Sequence, residues 1–182
     1  KGGQNIGYMK RTAKRWKRTK SLGVLWVDYI QMADLGKSNS STNDKVGDLS
    51  KGLKNIAKNN DIPVVALSQL SRAVETRGGD KRPQLSDLRD SGNLEQDADA
   101  VEFLYRPEYY KITENEAGES LVGLMEIIIG KNRHGATKDV KVRVDLETQT
   151  ISEWDDLDFD ILPVESTEKQ ENRTDAKAQG KT

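Results

Sequence analysis

Cysteine is absent from this 182-residue chain, and histidine occurs once, as His134. Without cysteine the chain can form no disulfide framework, no thiolate nucleophile and no cysteine-ligated zinc or iron–sulfur centre. A single histidine likewise excludes a multi-histidine metal site. No stretch approaches 18 consecutive apolar residues, and the basic start lacks the apolar core of a signal peptide. We therefore expect a cytoplasmic protein that does not enter a membrane.

Acidic residues are missing from the first 20 positions, and basic residues are missing from positions 151–165. The basic arm at residues 1–20 is typical either of a segment that meets phosphate or an acidic partner, or of a solvated helix face. Beyond Val164 the chain has no aromatic or branched apolar residue, so we predict a disordered polar tail over residues 161–182. Because the chain starts at Lys1 and not at a methionine, we expect an excised piece of a longer protein.

Short apolar runs and helical spacing predict a βαβ unit in the first half of the chain. The runs at 23–28 (GVLWVD) and 63–67 (PVVAL) suit parallel strands that are buried on both faces. Between them apolar residues recur at helical spacing, after a start that Thr42 or Asn43 can cap. The apolar positions of this helix are Val46, Leu49, Leu53, Ile56 and Ala57.

Three further apolar runs predict strands in the second half. Residues 100–105 form one strand, and residues 124–129 and 140–144 flank the turn sequence NRHGAT as a hairpin. We therefore predict an α/β fold over residues 21–160, truncated at its N-terminal side. Its central sheet is mostly parallel and flanked by helices, and it ends in a β-hairpin.

Polar side chains follow both predicted parallel strands. Asp28 comes directly after the first strand, and Ser68 and Gln69 follow the second. Because the carboxyl ends of parallel strands share one edge of a sheet, these residues meet where open α/β sheets bind ligands. The carboxylate suits a magnesium ion held through water beside nucleotide phosphates, and the amide suits a γ-phosphate sensor. The alternatives are a helix cap at Asp28 and ordinary hydrogen-bonding polar groups at the second strand end.

Two cations, Lys131 and Arg133, stand two residues apart at the end of a predicted strand. Side chains at that spacing leave the same face of a strand, so the pair can clamp a phosphate. The same pair can equally guard an exposed strand edge against aggregation. His134 is most simply a turn residue.

Four segments occur in an order and spacing typical of one protein family: VDYIQ, ALSQLSR, KRPQLSDLRDSGNLEQDADAVEFLYR and IIIGKNRHGATKDV. With them the chain resembles, from about Ser21 to Val144, the C-terminal motor domain of the hexameric replicative DNA helicases of the DnaB type. That domain is a branch of the RecA-like ATPases. The resemblance implies an ATP-dependent DNA helicase that forms a homo-hexamer on single-stranded DNA, with a helicase loader and a primase as further partners.

The resemblance also assigns roles to single residues. Asp28 corresponds to the Walker B aspartate near Mg²⁺, and Gln69 lies in the segment that couples the γ-phosphate of ATP to the DNA-binding loops. Lys131 and Arg133 correspond to a basic pair that reaches the nucleotide of the neighbouring subunit. Arg133 matches the arginine finger, which acts in trans. Asp28, Gln69 and Arg133 are thus the expected catalytic residues.

By the same resemblance, Arg89, Asp90 and Gly92 lie on a loop that faces the central channel and holds DNA phosphates. An arginine and a glycine N–H can follow a phosphate backbone without reading sequence. The alternative is a simple capped helix start, with Ser86 as N-cap and Arg89 paired to an aspartate at 87 or 90.

The phosphate-binding sequence G-x-x-x-x-G-K-[ST] is missing from this chain. The segment Gly36-Lys37-Ser38 has the last three residues of this sequence but is not a P-loop, because it lacks the first glycine and follows Asp28. In the family the P-loop and the catalytic glutamate precede the Walker B strand, so we expect the isolated chain to hydrolyse no ATP. Two other functions stay open: a RadA-type DNA repair ATPase, and an ATP-independent nucleic-acid-binding or interaction module.

Overall fold

The computed structural model describes residues 4–34, 41–91 and 94–154, with residues 42–43 and 89–91 described by their backbone only. The predicted tail and the Gly36-Lys37-Ser38 segment lie outside these ranges. The helices are α1 (Ile6–Lys20), α2 (Thr42–Asn60), α3 (Ala73–Thr76) and α4 (Leu94–Asp97), with 3-10 turns at Ile30–Met32, Leu85–Ser91 and Pro107–Tyr110. The strands are β1 (Leu25–Val27), β2 (Val64–Ala66), β3 (Ala100–Tyr105), β4 (Leu124–Asn132), β5 (Asp139–Asp145) and β6 (Thr150–Glu153).

The predicted βαβ unit is confirmed. β1 and β2 pair in parallel, with Leu25 opposite Val64 and Val27 opposite Ala66, and α2 connects them. The predicted caps of α2 were wrong by one position for Thr42 and two for Asn43, because the N-cap is Ser41, whose side chain accepts the N–H of Asp44 at 3.2 Å. Ser41 keeps an extended backbone outside the helix, as an N-cap requires, whereas residues 42 and 43 already belong to the helix.

The main core lies on one face of this parallel pair. α1 and α2 both pack there, and their buried residues join those of β1 and the segments beside it. The buried cluster comprises Ala13, Val27, Ile30, Val46, Leu49, Leu53, Ile56 and Ile62. The expectation that β1 is buried on both faces was wrong, because Trp26 is 65% exposed. Side chains alternate along a strand, and within the described residues both long helices cover the face of Val27.

A second sheet is antiparallel and has the strand order β3-β4-β5-β6. It confirms the predicted strand at 100–105 and the predicted hairpin, whose strands are longer than expected, so that Lys131 lies inside β4. β6 was not predicted, because all four of its residues are exposed and it has no alternation of apolar and polar residues. The α/β class is confirmed, and the described strands divide into a parallel pair and an antiparallel sheet of four.

Within the described ranges, no helix combines the length and the apolar character that crossing a membrane requires.

Candidate functional site

Asp28 and Gln69 lie at the carboxyl ends of the two parallel strands, as predicted from the sequence. Asp28 follows β1 directly and is exposed, and the peptide bond to Tyr29 is cis. Among the described residues, Asp28 has no hydrogen-bonding or ion-pair partner. The carboxylate therefore points to solvent with its oxygen atoms available, which disagrees with the alternative role as a helix cap.

A side chain that the sequence analysis did not single out joins the two strand ends. The Gln31 amide donates to Ser68 Oγ at 3.1 Å and to the Gln69 carbonyl at 3.4 Å, and it accepts the Gln69 N–H at 3.3 Å. The backbone adds a bond from the Ile30 N–H to the Leu67 carbonyl at 2.9 Å. Gln31 therefore fixes the main chain of Gln69 relative to the segment that carries Asp28. Its only sequence signal is its place three residues after that aspartate.

The described residues contain no group of three or more His, Asp or Glu side chains that could hold a metal ion. Asp28 is instead a single carboxylate at a strand end. Mg²⁺ is commonly held through one or two carboxylates together with waters and substrate phosphates. The donor set at this edge therefore fits Mg²⁺ that arrives with a nucleotide and does not fit a resident metal centre.

Lys131 and Arg133 extend to one common partner, the carboxyl end of the short helix α4. The Arg133 guanidinium donates to the Gln96 carbonyl at 2.6 Å, and Lys131 Nζ contacts the Gln96 and Glu95 carbonyls. The two side chains thus leave the same face of the chain. Cations are stabilised at helix C-termini because the last carbonyls carry partial negative charge.

Asp99 is a second partner of Arg133. The Arg133 guanidinium lies 3.3 Å from the Asp99 carboxylate, and the Arg133 N–H donates to the Asp99 carbonyl at 2.8 Å. Lys54 from α2 bonds the same carboxylate. The hydrogen bond from Lys54, with the charges of Lys54 and Arg133, holds the pKa of Asp99 below its ordinary value. Both side chains of the Arg133–Asp99 pair are about half exposed, so solvent weakens the pair.

Asp28 and Gln69 form one edge of the parallel strands, which we call the Asp28 edge. The basic pair of Lys131 and Arg133 lies at the opposite end of these strands. A cleft of about 420 Å³ beside Asp99 and His134 is also lined by Ile62 and Pro63, which precede β2. Asp28 and Gln69, in contrast, follow β1 and β2. Within one chain the structure therefore does not bring Arg133 to the Asp28 edge.

The segment predicted to contact DNA is only partly described. Its residues 85–91 form a 3-10 turn, in which the backbone of Arg89 and Asp90 is described and their side chains are not, and Gly92 lies outside the described residues. This 85–91 turn is bonded to the segment after Gln69, because the Ser71 N–H donates to the Asp87 carbonyl at 3.0 Å. The Asp87 carboxylate accepts from the Arg77 guanidinium and from the Gln84 N–H.

Comparison with known proteins identifies the family. Residues 1–153 match the family model described as the DnaB-like helicase C-terminal domain. The chain belongs to that DnaB-like family.

Several DnaB-like relatives are similar over most of this chain. The replicative DNA helicase DnaB of Rickettsia prowazekii is 44% identical over an alignment of 155 residues that covers 78% of this chain and 31% of that protein. The replicative DNA helicase DnaC of Bacillus subtilis is 43% identical over 142 residues, covering 77% of this chain and 30% of that protein. The chain therefore spans about a third of the length of these relatives.

Two solved structures share the fold. One is an ATPase domain that superposes with a TM-score of 0.74 at 39% identity, covering 84% of this chain and 52% of that chain. The other is a DnaB-like replicative helicase, solved in a study of its interactions with primase. It gives the same TM-score at 38% identity, covering 84% of this chain and 36% of that chain. These matches confirm the predicted RecA-like α/β fold and favour the helicase interpretation over the two alternatives.

Proposed function

We propose that this chain is part of the ATP-driven motor of a replicative DNA helicase, which acts in the cytoplasm as a ring of six subunits on single-stranded DNA. The observation that carries the proposal is the separation of two half-sites. The Asp28 carboxylate and Gln69, whose main chain is hydrogen-bonded to Gln31, lie at one end of the parallel strands. The basic pair, of which Arg133 is exposed and Lys131 half-buried, lies at the other. Two such surfaces complete one another only between neighbouring copies of the chain.

Asp28 and Gln69 form the nucleotide-facing half. Bound ATP–Mg²⁺ supplies a metal that neutralises charge on the β- and γ-phosphates. The Asp28 carboxylate, which has no partner among the described residues, would accept hydrogen bonds from water around that metal. The main chain of Gln69 is held by Gln31. The Gln69 side-chain amide would contact the γ-phosphate of a bound nucleotide, and it would lose that contact when the phosphate leaves. Both roles require the position at a strand end that the structure gives these residues.

Lys131 and Arg133 form the half that faces the next subunit. Arg133 is 44% exposed, and its pair with Asp99 is of the solvent-screened kind that typically contributes about 0–1 kcal/mol. The pair with Asp99 can therefore be exchanged for the phosphates of a neighbouring nucleotide at small cost, and the bond to the Gln96 carbonyl is given up with it. There the guanidinium stabilises the charge that develops in phosphoryl transfer, which is the role of an arginine finger.

Arg89, Asp90 and Gly92 form the DNA-contacting part of the proposal. An arginine and a glycine N–H on one short segment can follow successive phosphates of a single strand, and they offer no set of groups for reading base edges. We therefore propose binding without sequence preference. A primase is a proposed partner because the second solved neighbour was studied with primase, and a helicase loader follows from the family resemblance.

The test is ATP hydrolysis by a protein in which a preceding motor segment with a P-loop is joined to this chain. Arg133→Ala is expected to lower the rate stimulated by single-stranded DNA by about 10³-fold or more, because an arginine finger contributes about 10³ to 10⁵. Arg106→Ala is the matched control, since Arg106 forms an ion pair with Glu108 at 3.7 Å.

Gel filtration of both variants shows whether the ring has assembled. Loss of hydrolysis by an assembled Arg133→Ala ring supports the motor function. Unchanged hydrolysis makes Arg133 a surface residue and favours a binding module that does not depend on ATP.

A further inference from the structure

Asp87 is a buried carboxylate at the base of the 85–91 turn. It is 3% exposed, and its charge is compensated by the Arg77 guanidinium. A second bond fixes the start of the turn, because the Asp87 carboxylate accepts the Gln84 N–H at 2.7 Å. Buried charges need such partners, since removing one partner leaves the other uncompensated. The Asp87 side chain itself is negative and enclosed, so it cannot bind a phosphate.

Arg77 connects this carboxylate to the segment that follows Gln69. It comes directly after α3, where its N–H donates to the Ala73 carbonyl at 3.0 Å. Its guanidinium bonds Asp87 with one nitrogen and the Arg82 carbonyl at 3.0 Å with the other. The fork of Arg77 therefore holds the turn against α3, and the Ser71 N–H bond to the Asp87 carbonyl closes the same connection from the other side.

We propose that Arg77 and Asp87 are positioning residues that fix the 85–91 turn, and with it Arg89, for binding single-stranded DNA phosphates. The inference rests on the proposed function, and it adds two residues that touch neither DNA nor nucleotide. Their pair holds the turn at a set distance from the Gln69 segment, so a shift of that segment on a change of nucleotide moves the turn as well.

The direction in which Asp87→Asn changes DNA affinity distinguishes a positioning role from an effect of charge alone. Asp87→Asn removes a negative charge near a DNA-binding segment, so charge alone predicts equal or tighter binding of DNA. A positioning role predicts weaker binding, because the turn loses its anchor. Arg77→Lys keeps the positive charge and loses the fork that reaches Asp87 and the Arg82 carbonyl together, so it should also weaken binding.

The experiment measures the affinity of this chain for an oligo-dT strand at several salt concentrations. Asp87→Asn is expected to bind roughly five- to tenfold more weakly at about 50 mM salt, the amount that one phosphate contact contributes there. The slope of log affinity against log salt should become smaller by about 0.7. Partial unfolding alone lowers the active fraction and leaves this slope unchanged.

Two variants serve as controls. Glu126→Gln removes the same charge from another enclosed carboxylate that pairs with an arginine, Arg82, and it should leave the salt slope unchanged. Arg89→Ala should lower the slope directly and so shows that the turn is the place where DNA binds.

The outcomes distinguish failure of the proposed DNA contact from failure of the positioning role alone. If the unsubstituted chain shows no salt-dependent binding, or if Arg89→Ala has no effect on it, the proposed DNA contact is wrong and the positioning role is wrong with it. If Arg89→Ala weakens binding while Asp87→Asn and Arg77→Lys bind as the unsubstituted chain does, only the positioning role is overturned.

Discussion

Single amides and carboxylates decide the geometry at the Asp28 edge. Asp28 and Gln69 could be placed from the sequence, because each follows an apolar run that had to be a strand. The role of Gln31 could not, because its hydrogen bonds to Ser68 and Gln69 join residues 37 and 38 positions apart in the chain. Local sequence shows that a glutamine is present, and only the packed strands show what it contacts.

Gln31→Met tests the importance of the hydrogen bonds from Gln31 to Ser68 and Gln69. Methionine has a similar length and makes none of the three hydrogen bonds, so the Gln69 main chain loses its fixed position. In the protein joined to a P-loop segment, we expect DNA-stimulated ATP hydrolysis to fall by about tenfold to 100-fold, as small displacements of positioned groups typically cause.

Gln31→Glu should show a smaller loss, because it keeps an oxygen for the Gln69 N–H and lacks the donor for the Gln69 carbonyl. Thermal unfolding of both variants provides the control. Full hydrolysis by a folded Gln31→Met protein contradicts a positioning role for this side chain.

At the scale of elements, β4 brings the basic pair and the 85–91 turn close together. Gly130 lies one residue before Lys131, and a Cβ atom there would come within 2.7 Å of the Phe103 ring and 3.6 Å of Leu85. Phe103 of β3 is buried, and Leu85 begins the turn. The absence of a side chain at Gly130 thus allows Phe103 of β3 to pack against the turn, directly before Lys131 in the chain.

Gly130→Ala is expected to lower the free energy of unfolding by about 1–3 kcal/mol, as overpacking of a filled core does. The buried Phe103 ring has little space to move away from the added methyl group. Urea unfolding followed by circular dichroism measures the change. Gly23→Ala is the matched control, since a Cβ at position 23 meets no atom within 4 Å. Equal stability of the two variants contradicts the close packing at Gly130.

The elements also show where prediction from sequence ends. Residues 100–105 were predicted with the bounds that the structure gives, because every residue of that run except Glu102 is apolar or aromatic. The exposure of Trp26 was missed, since an apolar residue in a strand indicates burial and only the arrangement of α1 and α2 shows which face is covered. β6 was missed because pairing with β5 through backbone hydrogen bonds leaves no mark in its side chains.

At the scale of the whole molecule, the two half-sites predict that variants of opposite halves complement one another in mixed rings. Under the proposed function, Asp28→Asn is expected to disable the nucleotide-facing half, and Arg133→Ala is expected to disable the half that faces the neighbour. Each variant alone should be inactive in ATP hydrolysis. Mixed rings contain interfaces that combine an intact Asp28 from one subunit with an intact Arg133 from the next, so mixing should restore part of the hydrolysis.

Hydrolysis rates over a series of mixing ratios provide the measurement. Restored activity should be greatest near equal amounts of the two variants, where complete interfaces are most frequent. A double variant mixed with either single variant is the control, because no interface in such rings is complete. An absence of recovery in rings that exchange subunits means that Arg133 acts within its own chain.

The shared carboxylate of Asp99 has a consequence for how such an assembly can cycle. Lys54 and Arg133 both bond Asp99, so the departure of the arginine leaves the carboxylate with a counter-charge. Arg133 could therefore leave Asp99 and return to it, while Lys54 continues to compensate the Asp99 carboxylate. Under the proposed function, the contact would hold the guanidinium when no neighbour offers phosphate and would release it when one does.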